Sequence, residues 1–203
     1  MVKQQRTAKT KRPYHLRERA VAMDRTRQRI TRAAVELHGT IGPAATTMSG
    51  VAERAGVTRA TLYRHFANED ALFTACSADW LAANPRPDLA RWAAIEDPTQ
   101  RLRSALEELF AWYRSTEAMR ANLLRDIDSM PLRIATAIKA FPPAMRAVLE
   151  VGWPEAGNPL RRAALGHAVA FETWRSLTRE GLDDDQAASL MVTLVTNATS
   201  SRR

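Results

Sequence analysis

The chain has 203 residues, 45% of them hydrophobic and 26% charged, with one cysteine and a net charge of +8. That length buries a real core, and this balance excludes a disordered chain, an internal disulfide and a thiolate metal cluster. The longest charge-free stretches, Leu37 to Ala52 and Gln186 to Ser201, are polar and shorter than the roughly 20 apolar residues of a membrane span.

Residues 1–20 are polar, basic and interrupted by Pro13, and they read as a mobile basic arm with some helix near its end. The arm has no apolar segment and no cleavage site, so it is not a secretory signal, and the expectation is a cytoplasmic protein without a membrane partner. Charge is concentrated here. Residues 1–32 hold eleven basic and two acidic groups, a net of +9, whereas residues 33–75 carry −1 and residues 76–203 are neutral. A polyanion-binding part joined to a neutral part fits this split, and so does a solvated basic tail.

From Asp24, a cap candidate, Ile30, Ala33, Ala34 and Leu37 trace the stripe of an amphipathic helix that ends at Gly39 to Pro43. Thr47 then caps a short helix whose apolar face is Met48, Val51, Ala52 and Ala55. Gly56 supplies a tight turn, and Thr58 caps a second short helix through His65. Helix, glycine turn, helix is a helix-turn-helix pattern. Asn68 caps a helix from Glu69 through Leu81. Beyond Asn84 to Pro87, helices are expected from Asp97-Pro98, over Thr116 to Asp126, and over Pro131 to Leu149 with a kink at Pro142-Pro143. Two more run from Asn158-Pro159 to Glu180, closed by Gly181, and from Asp183, whose Gln186 completes a capping box. No strand or repeat is evident, so the fold class is all-α with about nine helices: a helix-turn-helix domain over residues 21–75 and a helical domain over 76–203.

The segment Thr46 to Phe73 resembles the N-terminal domain of the TetR family of bacterial transcriptional repressors. The matching features are the Thr46-Thr47 entry, Val51-Ala52 with Ala55-Gly56-Val57, and Thr58, Thr61-Leu62-Tyr63 and Phe66 of the second helix. The run from Asp97-Pro98 to Trp112-Tyr113-Arg114, with Arg125-Asp126, is similar to the C-terminal domain of some members. The resemblance implies a homodimeric, ligand-responsive repressor that binds a pseudo-palindromic double-stranded DNA operator and is released by a small apolar or amphipathic effector.

A helix entering the major groove carries its donors in its N-terminal half and stays slim where it meets the backbone. Thr58, Arg59, Ala60 and Thr61 fit that description, with Arg59 suited to guanine and Thr61 to a base edge or methyl. Thr47, at a helix start, suits a phosphate. Tyr63, Arg64 and His65 would contact phosphates as the matching positions do in the family, although Tyr63 also reads as a core aromatic with a wet hydroxyl. Val57, Leu62 and Phe66 dock the helix. Glu69 departs from the family, which usually has lysine there, so no phosphate contact is carried over. The basic arm either compensates along the backbone or in a flanking minor groove, or stays solvated.

The C-terminal domain is the implied effector-binding and dimerisation part. Its pocket candidates are Trp112, Tyr113, Met119, Met130, Phe141, Trp153, Phe171 and Trp174, each of which also reads as core. The last two long helices, over residues 159–180 and 184–197, are the implied dimer interface, where Ala163, Ala164, Ala168 and Ala170 permit close approach. Catalysis, metal and cofactor find no pattern: His15, His38, His65 and His167 are scattered, and Asp183 to Asp185 read as capping. Cys76 has no evident activating partner. The competing class is an all-α small-molecule or partner-binding protein whose basic arm docks on RNA or an acidic protein.

Overall fold

The structure is a computed structural model that describes residues 11–154 and 157–198, with side chains from Arg17. Among the described residues there are ten α-helices, one 3-10 turn and no strand. The chain divides into two units, residues 1–80 and 81–203.

In the first unit α1 spans Lys11–Thr40, α2 Met48–Arg54 and α3 Arg59–His65, and α4, Glu69–Ala83, begins there. α1 is longer than its apolar stripe. Residues 14–29 hold no helix breaker, and Pro13 lies in the first turn, where its missing N–H costs little. Asp24 is therefore inside the helix and not its cap. Residues 1–10 of the expected arm lie outside the described residues, and its remaining residues are helical.

Ile30, Ala33, Ala34, Met48, Val51, Ala52, Ala55, Leu62 and Phe66 are all buried, with Leu62 and Phe66 at 0% and 1% exposure. They form the core on which α2 packs against α1 and α3. Removing such side chains from water is the main term that holds the two short helices against α1.

The second unit is built around α6, Pro98–Arg125, whose Leu102, Leu106, Leu109, Phe110 and Tyr113 are fully buried. α10, Asp184–Thr196, packs on α6 and on α8, Pro159–Ala168, while α7, Leu132–Leu149, packs on α8 and on α5, Leu89–Ala93. Buried Arg101 donates to the carbonyls of Ile95, Glu96 and Val151, which fastens the entry of α6 to the chain that follows α7.

Three boundaries differ from expectation, each for a physical reason. Thr116 does not start a helix, because its hydroxyl bonds back to the Trp112 carbonyl one turn earlier and α6 runs through it. The stretch from Pro159 to Glu180 is two helices, α8 and α9 (Phe171–Arg179). At the break the backbone of Ala170 is extended, and the buried Val169 carbonyl takes a 2.7 Å hydrogen bond from the Tyr113 hydroxyl. α5 arises where none was expected, capped by Asp88 and anchored by buried Trp92, whose Nε1 donates to Glu108 at 2.7 Å. α7 is helical through Pro142 and Pro143.

Candidate nucleic-acid interface and effector site

The geometry of α2 and α3 is set by side-chain caps. The Thr47 hydroxyl accepts from Gly50 N at 3.0 Å, and the Thr58 hydroxyl accepts from Thr61 N at 3.1 Å. Each cap satisfies one of the amides that a helix start leaves without a carbonyl. Between them Gly56 adopts φ +61, and Val57 N reaches back to Ala52 O. A side chain in that left-handed turn would be strained, so the glycine fixes the angle at which α3 leaves α2. Asn68 caps α4 through Ala71 N at 2.9 Å.

α3 is consequently two-faced. Leu62 and Phe66 point into the core, whereas Thr58, Arg59, Ala60, Tyr63 and Arg64 are exposed and Thr61 and His65 are half-buried. Thr47 is exposed at the start of α2. Tyr63 is 43% exposed, and the Arg59 guanidinium lies 5.9 Å from its ring centre, so the two side chains form one presented unit. The Thr58 hydroxyl also donates to Thr61 Oγ1 at 3.0 Å, which orients that threonine.

His65 differs from its neighbours. Its Nε2 is buried without a hydrogen-bond partner, and desolvation followed by the fields of Arg64 and Arg27 lowers its pKa, favouring the neutral ring.

Arg27 on α1 escaped the sequence reading, which placed it among the basic groups of the first helix. Its Nη1 donates to the His65 carbonyl at 2.7 Å and its guanidinium lies 4.1 Å from the Phe66 ring centre. It therefore caps the C-terminal end of α3 from a neighbouring helix. Its i+3 spacing to Ile30 on the apolar stripe is the sequence signal that pointed inward. Arg25, Arg29 and Arg32, exposed like Arg27, instead line one open depression with Glu36 and Arg54, the latter two ion-paired at 2.7 Å. Glu69 is exposed in the first turn of α4.

Cys76 lies under α1, with its sulfur 3.6 Å from His38 Nδ1 and 3.2 Å from the Phe73 carbonyl, and His38 stacks on Phe73. Histidine beside cysteine can make a reactive ion pair. Here burial pushes the thiol up to about 12 and the imidazole down to about 4, so both are neutral at pH 7. The neighbour that sequence did not reveal is present, but it does not activate the thiol.

In the second unit five of the eight pocket candidates meet. Tyr113 contacts Trp112, Phe171 and Trp174 with ring centres 5.8, 5.3 and 5.9 Å apart, and Trp112 meets Phe141 edge-on at 5.9 Å. Trp174 is held by its Nε1 donating to Asp184 at 2.8 Å, and Asp184 also takes two 2.7 Å bonds from Arg114. Asp183 makes the expected capping box with Gln186, so the two neighbouring acids have distinct roles. Trp153 lies with Arg161 instead, their separation being 5.1 Å. Met119 is half-buried on α6, and Met130 is buried just past the 3-10 turn, Ile127–Ser129.

Arg120 was missed. Its guanidinium sits 4.5 Å from the Trp112 ring centre, 4.6 Å from Tyr113 and 5.3 Å from Phe171. The four-residue steps Trp112, Thr116, Arg120 place it on the same stripe of α6.

Among the described residues no group of acids, histidines and cysteine has metal-binding geometry, and no helix is long and apolar enough to cross a membrane. Residues 30–76 match the family model for bacterial regulatory proteins, tetR family. The fold is similar to those of solved structures that include the following three. A Clostridium perfringens putative fatty acid metabolism regulator is 17% identical with TM-score 0.61, over 86% of this chain and 100% of that one. A TetR-like transcriptional regulator from Rhodococcus sp. RHA1 is 20% identical with TM-score 0.58, over 84% and 93%. NalD of Pseudomonas aeruginosa, the secondary repressor of the MexAB-OprM multidrug efflux pump, is 22% identical with TM-score 0.58, over 86% and 95%. No curated protein matches.

Proposed function

We propose, from a tetR-family helix-turn-helix on a TetR-like all-helical fold, that this chain is a ligand-responsive transcriptional repressor that binds a pseudo-palindromic operator as a homodimer. The observation that carries the reading is the two-faced α3: Leu62 and Phe66 fix it to the core while Arg59, Tyr63 and Arg64 stay exposed. Arg59 reads guanine in the major groove, a contact worth about 1–3 kcal/mol of discrimination. Thr58, Ala60 and Thr61 meet base edges, and Thr47, Tyr63, Arg64 and His65 meet phosphates. His65 acts as a neutral donor, in keeping with its lowered pKa. The exposed arginines of α1 add sequence-independent affinity, and residues 1–20 extend it along the duplex.

The effector binds among the aromatic residues of the second unit and favours a conformation with lower DNA affinity. By linkage, operator DNA then lowers effector affinity by the same factor. Dimerisation uses α8, α9 and α10. Leu160, Leu190 and Leu194 are 54%, 46% and 44% exposed there, apolar area that a second copy would remove from water.

The competing reading, binding through the basic arm alone, makes an opposite prediction about truncation. A chain lacking residues 1–20 retains its preference for the DNA upstream of its own gene over shuffled duplex, at reduced affinity. Complete loss of binding on truncation, with Arg59→Ala without effect, would assign the activity to the arm instead.

A further inference from the structure

The aromatic cluster of the second unit encloses a cation that the protein leaves without a counter-charge. Arg120 is in contact range of three rings, yet its Nε is buried with no acceptor and it forms no ion pair among the described residues. Glu172 acts on it only from a distance and is itself exposed. A second guanidinium, Arg86, lies 5.0 Å from the Phe141 ring centre, and Phe141 abuts Trp112. Arg86 likewise has no ion pair among the described residues, and its charge repels that of Arg120. Burial disfavours the charged form of both groups.

A guanidinium whose Nε is buried against ring faces is costly to hold, more so with a second, half-buried guanidinium at the neighbouring ring. The ring faces return part of that cost, but they do not replace a carboxylate. Elsewhere in this unit buried guanidinium groups keep a protein partner: Arg101 has three carbonyls, and Arg161 and Arg175, whose Nε atoms are also unpartnered, have the Pro154 carbonyl and Glu117. Arg120 differs in having ring faces alone around its buried Nε.

We propose that the cluster is a binding site for an apolar organic acid, whose carboxylate pairs with Arg120 and Arg86 and whose body lies against Trp112, Tyr113 and Phe171. The planar guanidinium fork matches a carboxylate, and the rings supply flat apolar walls. The inference rests on the effector reading above and narrows it to an anionic class.

The test uses the full chain and two matched pairs of probes, 2-naphthoic acid with 2-naphthamide and decanoic acid with decanamide, followed by tryptophan fluorescence and thermal melting. The acids bind at least about tenfold tighter than their amides, the size expected for one charge-assisted contact. Arg120→Met abolishes that preference, Arg86→Gln weakens it, and Arg120→Lys preserves part of it. The ligand-free Arg120→Met variant melts at or above the wild-type temperature, because an unpaired buried charge has been removed. A lower melting temperature together with an undiminished acid preference would make Arg120 a structural residue and overturn the proposal. Amides that bind as well as acids would overturn the anionic class and leave an effector site standing. No binding of any probe would count against both.

Discussion

Arg27 gives the sharpest test of how α3 is held. Replacing it with alanine removes the 2.7 Å bond to the His65 carbonyl and the 4.1 Å stack on Phe66. A charge-assisted bond of this kind contributes about 1.5–3 kcal/mol in protected sites, and exposure of this one reduces that to about 1. The contact with Phe66 adds about 0.5–1 kcal/mol. The local opening free energy of α3 therefore falls by about 1.5–2 kcal/mol, a roughly tenfold to thirtyfold loss of amide protection. Native-state hydrogen exchange at Phe66 N–H, which closes the last turn onto Leu62 O at 2.9 Å, reads this directly. Arg27→Lys keeps the charge but loses the planar stack and fork, and falls nearly as far. If Arg27 is instead a phosphate contact, protection is unchanged and the slope of log affinity against log salt drops by about 0.9 in magnitude. That pair of results would refute the capping argument.

Three further outcomes follow from the same geometry. His38 takes up its proton near 6.5 when unfolded and near 4 when folded, so the stability due to its burial is complete above pH 6.5 and is lost as pH falls toward 4, up to about 3 kcal/mol. Melting temperatures at pH 7 and pH 5 show a smaller drop for His38→Gln than for wild type, and equal drops would count against the assignment. Glu69→Lys raises affinity for random duplex and steepens its salt dependence by about 0.9 per chain, measured by fluorescence anisotropy; an unchanged slope would place the start of α4 away from DNA. Leu190→Lys with Leu194→Lys shifts the protein from dimer to monomer in light scattering, and a dimer that survives both would move the interface off α10.

Legibility in the sequence followed the range of the interaction. The caps Thr47, Thr58, Asn68, Asp97, Asn158 and Asp183 were readable because each side-chain oxygen bonds an amide two or three residues on. The cores of α1, α2 and α6 were readable because their periodicity is local. Thr116 carried an ambiguous signal: threonine starts helices, but within one it bonds to the carbonyl four residues back. The break at Val169 was invisible, since the hydroxyl that stabilises it comes from Tyr113, 56 positions earlier. Arg27 and Arg120 were hidden for a related reason. Arginine on a helix reads as solvated surface, and its use depends on which ring faces another helix brings to it. The pairing of His38 with Cys76 spans 38 positions and could not be read from either residue.

The central claim, that α3 reads sequence while the basic helix and arm supply general affinity, is tested most directly by anisotropy titrations of the DNA upstream of this chain's own gene. Wild type, Arg59→Ala and Tyr63→Ala are compared on that duplex and on a shuffled one across a salt series. The account predicts that Arg59→Ala lowers the ratio of specific to shuffled affinity by about tenfold or more while binding to the shuffled duplex falls far less. Tyr63→Ala should weaken both duplexes to a similar degree. Equal affinity of the wild-type protein for the two duplexes at every salt, or a ratio untouched by Arg59→Ala, would contradict it.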